Sequence, residues 1–236
     1  LKRLFDIEFW SRALRSPIVW VGLIVDLLPV YAVFAWGWDA TPLVLLYWVE
    51  NVIIGVMTLP RILVSGARMG LGGALFGLFI AGFFTIHYGM FCTVHGVFLV
   101  AMAGWADGTM QAAQAAALNG TEDSIPNMIE YAMASAPHAD WIVAVIAGFQ
   151  VFLFVWQFIG KGEWRTADPG DEMGAPYGRI VLLHLGLFVG FGALIVMGQP
   201  MAGVLALILA HAVWGVFSNG REPKRAAAEP EAAARP

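Results

Sequence analysis

Charge is scarce in this chain: only 13% of its 236 residues are Asp, Glu, Lys or Arg, against about a quarter in an ordinary soluble domain. Hydrophobic residues make up 59% and mean hydropathy is +0.73, which excludes a soluble globular domain or a disordered segment as the main body. Cysteine is nearly absent. The single Cys92 excludes an internal disulfide and any multi-cysteine metal knuckle. Basic residues show no excess, and the net charge of -4 gives no broad electrostatic hold on nucleic acid. There is no His-Glu-x-x-His helix, phosphate loop or Gly-x-Ser-x-Gly elbow. No internal repeat is evident, so the inverted-repeat pattern of many transporters is missing too.

What the chain does have is long apolar runs. A spanning helix needs roughly 20 mostly apolar residues, and six stretches qualify: 17–38, 42–64, 71–104, 141–160, 178–198 and 200–218. They are separated by turn chemistry such as Trp38-Asp39-Ala40-Thr41-Pro42, Ser65-Gly66-Ala67-Arg68 and Gly198-Gln199-Pro200. The first run is too long for a cleavable signal, contains Asp26 and lacks a small-residue cleavage site. The third exceeds what the hydrocarbon needs, so it tilts, protrudes or starts after Gly70-Leu71-Gly72-Gly73. The expected fold is therefore all-α: a polytopic membrane helical bundle of six transmembrane helices over 1–218. A disordered cytoplasmic tail, 219–236, follows it.

Orientation follows the bases. Lys2, Arg3, Arg12 and Arg15 precede the first span, and Arg61 and Arg68 join the second to the third. Lys161, Arg165 and Arg179 join the fourth to the fifth, and Arg221, Lys224, Arg225 and Arg235 follow the sixth. In a six-span topology all 13 Lys and Arg fall on one side. The other side carries Asp39, Asp107, Glu122, Asp123, Glu130 and Asp140 without a single base. Both termini are thus expected in the cytoplasm. The outer loop 105–140 contains Ile125, Met128, Ile129, Ala132 and Met133 at helical spacing, an interfacial helix over 125–134 or a cap on the bundle mouth. Trp10, Trp20, Trp36, Trp38, Trp105, Trp141 and Trp164 fall near span ends, as interfacial belt residues do.

Ionisable groups at membrane depth mark function by default. Asp26 falls in the first span, Glu50 in the second, His87 and His95 in the third, His184 in the fifth and His211 in the sixth. His87 and His95 are about 80° apart around their helix, with Tyr88 and Phe91 between them. His184 and His211 are equidistant from the tip of the last hairpin. Counting inward from the span ends puts Glu50, His95 and His211 about 14–16 Å deep, with His184 and His87 somewhat deeper. The expected centre is a transition-metal site, Zn, Fe or Cu, drawing on Glu50, His87, His95, His184 and His211. In an enzyme it would activate water or oxygen, with Glu50 as ligand or base. Three other readings stand beside it: haem b between two of the histidines, an ion path through Asp26, Glu50 and the histidines, and a cofactor-free polar core. The lipid bilayer is the expected partner, with a second copy or a membrane complex compatible with the sequence.

The start of the second span, Tyr47-Trp48-Val49-Glu50-Asn51-Val52-Ile53-Ile54-Gly55, resembles the signature of an uncharacterised bacterial integral membrane family, a domain of unknown function with Tyr-Trp-x-Glu-Asn in an early helix. The resemblance implies a multi-pass protein of the bacterial inner membrane and puts weight on Glu50 and Asn51. It implies no reaction and no metal.

Overall fold

A computed structural model describes residues 10–11, 14–38, 40–106, 136–181, 184–185, 188, 212–213 and 215–216. Regular structure among them is helical, with no strand. Helix α1 is Pro17–Trp36, α2 Ala40–Arg68, α3 Gly70–Ala106 and α4 Ala139–Leu153, which continues as a π-helix over Phe154–Gly160. A 3-10 turn, Glu163–Arg165, and a short helix α5, Pro169–Gly174, follow. Among the described residues four helices are long and apolar enough to cross a membrane: Pro17–Trp36, Pro42–Arg68, Gly70–Leu99 and Ala139–Gly160. They match the first four expected spans. The loop helix 125–134, the tail 219–236 and most of the fifth and sixth spans lie outside the described residues.

The boundaries differ from the expected ones for local reasons. Pro17 opens α1 at a position where its missing N–H costs nothing. The helix stops before Trp38 because Gly37 takes a left-handed conformation, φ 69°, and its N–H caps the Val33 carbonyl at 3.2 Å. Helix α2 runs past residue 64 to Arg68, and Gly70 (φ 80°) turns the chain directly into α3. The long third span is thus one helix from Gly70 onward.

Helix α2 is the centre of the described bundle, packed against α3, α4 and α5. Residues Leu45 to Asn51 are buried on every side, as an apolar helix inside a bundle must be. Around them Leu43, Leu45, Trp48, Leu99, Ile142 and Ile146 form the main core. By contrast α3 exposes Leu71, Phe79, Ile86 and Val94, a face suited to lipid. At one end, the Trp36 ring meets those of Trp38, His138 and Trp141 at 5.9, 5.1 and 5.6 Å. Trp38 is not a belt residue: it is 3% exposed and donates Nε1–H to the Pro137 carbonyl at 3.0 Å. At the other end, Arg68 donates to the Ala167 carbonyl (3.1 Å), and Arg61 pairs with Glu172 (3.6 Å) while lying over the Phe158 ring. The connection after α4 is therefore laid along α2.

The α2–α3 hairpin depends on glycine. A Cβ on Gly66 would stand 2.7 Å from the Gly73 carbonyl oxygen and 2.9 Å from Gly77 Cα, so the two backbones touch there. Neither backbone has a flexible end to yield. We expect Gly66→Ala to destabilise the fold by about 1–3 kcal/mol, the usual cost of overpacking. Gly82→Ala, in the same hairpin with nothing within 4 Å, should be neutral or stabilising. Thermal unfolding in detergent compares them, and equal losses would show that the close approach is not required.

Candidate functional site

The segment Tyr47-Trp48-Val49-Glu50-Asn51 builds the polar core, each polar residue with its own task. Trp48, fully buried, donates Nε1–H to the Cys92 carbonyl at 2.7 Å and so ties α2 to α3. Asn51 donates Nδ2–H to the Tyr47 carbonyl one turn back, at 2.8 Å. From α3, Tyr88 Oη–H donates to the Asn51 carbonyl at 2.9 Å. Tyr88 reaches it across Gly55, where a Cβ would stand 2.5 Å from the ring. Glu50 is 5% exposed, and its Oε1 accepts a hydrogen bond from Arg179 Nη1 in a close ion pair. The Arg179 side chain is 11% exposed. Asp26 of α1 is buried, and Arg179 and Tyr47 both lie within its electrostatic reach.

Arg179 was expected as a loop charge. Its real position follows from where the fifth helical segment starts. Tyr177 packs edge-on against Phe84 and Tyr88, with ring centres 6.4 and 6.0 Å apart, well inside α3 rather than at its end. A base two residues further on is therefore already inside the bundle. The signal was present in the sequence, because Glu50 at membrane depth demands a counterion.

The histidines divide. His95 is 7% exposed, and its ring meets that of His184 edge-to-face with centres 4.0 Å apart. His95 Nδ1 lies 2.6 Å from the Phe91 carbonyl and His184 Nδ1 lies 2.7 Å from the Ile180 carbonyl. A carbonyl only accepts, so each Nδ1 carries a proton, and in the neutral imidazole Nε2 is then the nitrogen with the lone pair. His87 is placed elsewhere, stacked on Phe83 at 5.2 Å and flanked by Phe91 and Tyr177. Glu50 faces Arg179, and among the described residues no three His, Cys, Asp or Glu side chains converge on a metal position. His211 lies outside the described residues.

The described residues form helices only, four of them long and apolar enough to cross a membrane around a buried ion pair, and by class this is a helical membrane protein. The chain belongs to a family of unknown function, DUF6498, whose model matches residues 8–232. No curated protein and no solved structure matches it.

Outside the spans, Glu172 provides a pH test. Burial pushes its carboxyl above the usual carboxylate range, and the pull of Arg61 in the other direction does not cancel that. The folded chain then holds this proton more tightly than the unfolded chain. Its contribution is most favourable at acidic pH and is lost as pH rises from the ordinary carboxylate range through the raised folded value. Thermal unfolding of wild type should show this decline, and Glu172→Gln should flatten it. Superimposable pH profiles would contradict the assignment.

Proposed function

We propose that this chain is an integral membrane protein that holds a transition metal ion, Zn, Fe or Cu, between its helices, with His95 and His184 as ligands. The observation that carries the reading is the histidine pair. Two imidazoles from different helices approach to 4.0 Å, each with Nδ1 fixed on a backbone carbonyl. A metal-binding histidine is commonly oriented by such a bond from its other nitrogen. His211, matched to His184 in distance from the hairpin tip, is the third ligand on sequence grounds. Glu50, already paired with Arg179, is left out of the proposed ligand set. His87 lines the aromatic approach beside Tyr177.

The separation also bears on haem. Axial imidazole nitrogens stand about 2 Å from a metal on opposite sides, so the ring centres of a haem-spanning pair lie well beyond the 4.0 Å seen here. The rings would have to part less to hold a small ion as neighbouring ligands than to hold a porphyrin between them. The distribution of bases supports six spans with both termini in the cytoplasm, and the resemblance of the Tyr47–Asn51 segment supports residence in a bacterial inner membrane.

Elemental analysis of the purified full-length chain tests the reading. Wild type should carry metal near one equivalent and show no Soret band, and His95→Ala and His184→Ala should each lower the content several-fold. Equal content in all three proteins, or a Soret band that His95→Ala removes, would overturn it.

A further inference from the structure

His87 differs from His95 and His184 in what meets it. Those two each hold a backbone carbonyl. Among the described residues His87 meets only rings, those of Phe83, Phe91 and Tyr177, with centres 5.2, 5.1 and 5.9 Å away, and neither of its nitrogens has a hydrogen bond. It is half-buried, on a flank of α3 where Phe83, Ile86 and Met90 are 46%, 76% and 53% exposed. An imidazole always carries an N–H, and a neutral one a lone pair as well. In hydrocarbon, where water is scarce, such groups are costly unless something pairs with them.

Depth selects the partner. His87 lies near the middle of the apolar stretch Gly70–Leu99, about 18 Å along the helix from its nearer end. The hydrocarbon core is about 30 Å thick, so the phosphates and esters of phospholipids stand about 15 Å from its middle, and their acyl chains carry no hydrogen-bonding group. A charged head is costly at that depth. What remains is a neutral ring compound with carbonyl or hydroxyl groups and an apolar tail. The surroundings suit a flat ring: Phe83 lies nearly parallel to His87, with 15° between the planes, and Phe91 stands edge-on at 76°.

We propose that His87, Phe83, Phe91 and Tyr177 form a site, open to the bilayer, for an isoprenoid quinone. The His87 N–H donates to a ring carbonyl of the quinone, and the exposed aromatic flank of α3 receives the ring and the start of its tail. Tyr177 supplies a second donor. Its Oη is enclosed and has no hydrogen-bond partner, so it joins the contact by a turn of the ring. Phe91 also touches His95 and His184, with ring centres 6.4 and 6.2 Å apart, and so stands between this site and the histidine pair. The proposal does not rest on the metal reading, since it uses neither of those two histidines.

The test is thermal unfolding of the detergent-purified full-length chain with decylubiquinone, because a ligand that binds only the folded state raises its stability. Wild type should unfold at a higher temperature with the quinone. Decylbenzene, which has a ring and tail without the oxygens, should not reproduce the shift, nor should oleate or phosphatidylglycerol at the same mole fraction. His87→Phe, which keeps a ring and removes both nitrogens, should abolish it, and Tyr177→Phe should require several-fold more quinone. On wild type, decylubiquinone should also slow the carbethoxylation of His87 by diethyl pyrocarbonate several-fold, read by mass spectrometry. That protection decides the matter if His87→Phe does not accumulate. No shift with decylubiquinone, an equal shift in wild type and His87→Phe, the same shift with any of the other three compounds, or an unprotected His87 would overturn the proposal.

Discussion

The buried ion pair between Glu50 and Arg179 is the interaction on which the described core depends. A carboxylate at the centre of an apolar helix is tolerated only where a counterion reaches it, since stripping water from either charge costs several kcal/mol. Here the acid comes from α2, the most enclosed helix, and the base from the start of the fifth helical segment. Each charge requires the other. The pair therefore fixes both the position and the depth of that segment. His184, five residues beyond Arg179 and about 7.5 Å further along a helix, is thereby brought against His95.

The rest of the packing supports that placement. Close backbone contact at Gly66, Gly73 and Gly77 joins α2 and α3 into one rigid hairpin, and Trp48 and Tyr88 cross-link it further along. Arg61 and Arg68 hold the connection after α4 against α2, which delivers Tyr177 to the Phe84 and Tyr88 rings. The π-helical turn at the end of α4 sets Phe158, fully buried, beneath the Arg61 guanidinium. Apolar packing, small-residue contacts and two arginine tethers thus all support the ionic core.

Much of this was legible in the sequence, and the rest was hidden for identifiable reasons. The first four spans follow from apolar length alone, which is the strongest signal a membrane chain carries. Their ends moved where local conformation decided: the left-handed Gly37 stops α1 early, and α2 continues through Ser65 and Gly66 because those residues pack into the hairpin. Glu50 and Asn51 stood out by residue type and by the motif that contains them. Arg179 did not, because a base beside an apolar run ordinarily reaches back to the interface. Counting depth from span ends assumed that every span starts at one level, and Tyr177 inside the α3 surface breaks that assumption. His87 and His95 share a helix, yet about 80° of rotation suffices to give them different neighbours: an aromatic stack for one, His184 for the other.

A double-substitution cycle on the ion pair tests the central claim most directly. Glu50→Leu, Arg179→Met and the combination are compared with wild type by thermal unfolding in one detergent. Each single change should cost about 3–5 kcal/mol by stranding its partner's charge, and the double variant should be more stable than either single. Losses that simply add would show that the two charges do not hold this core together.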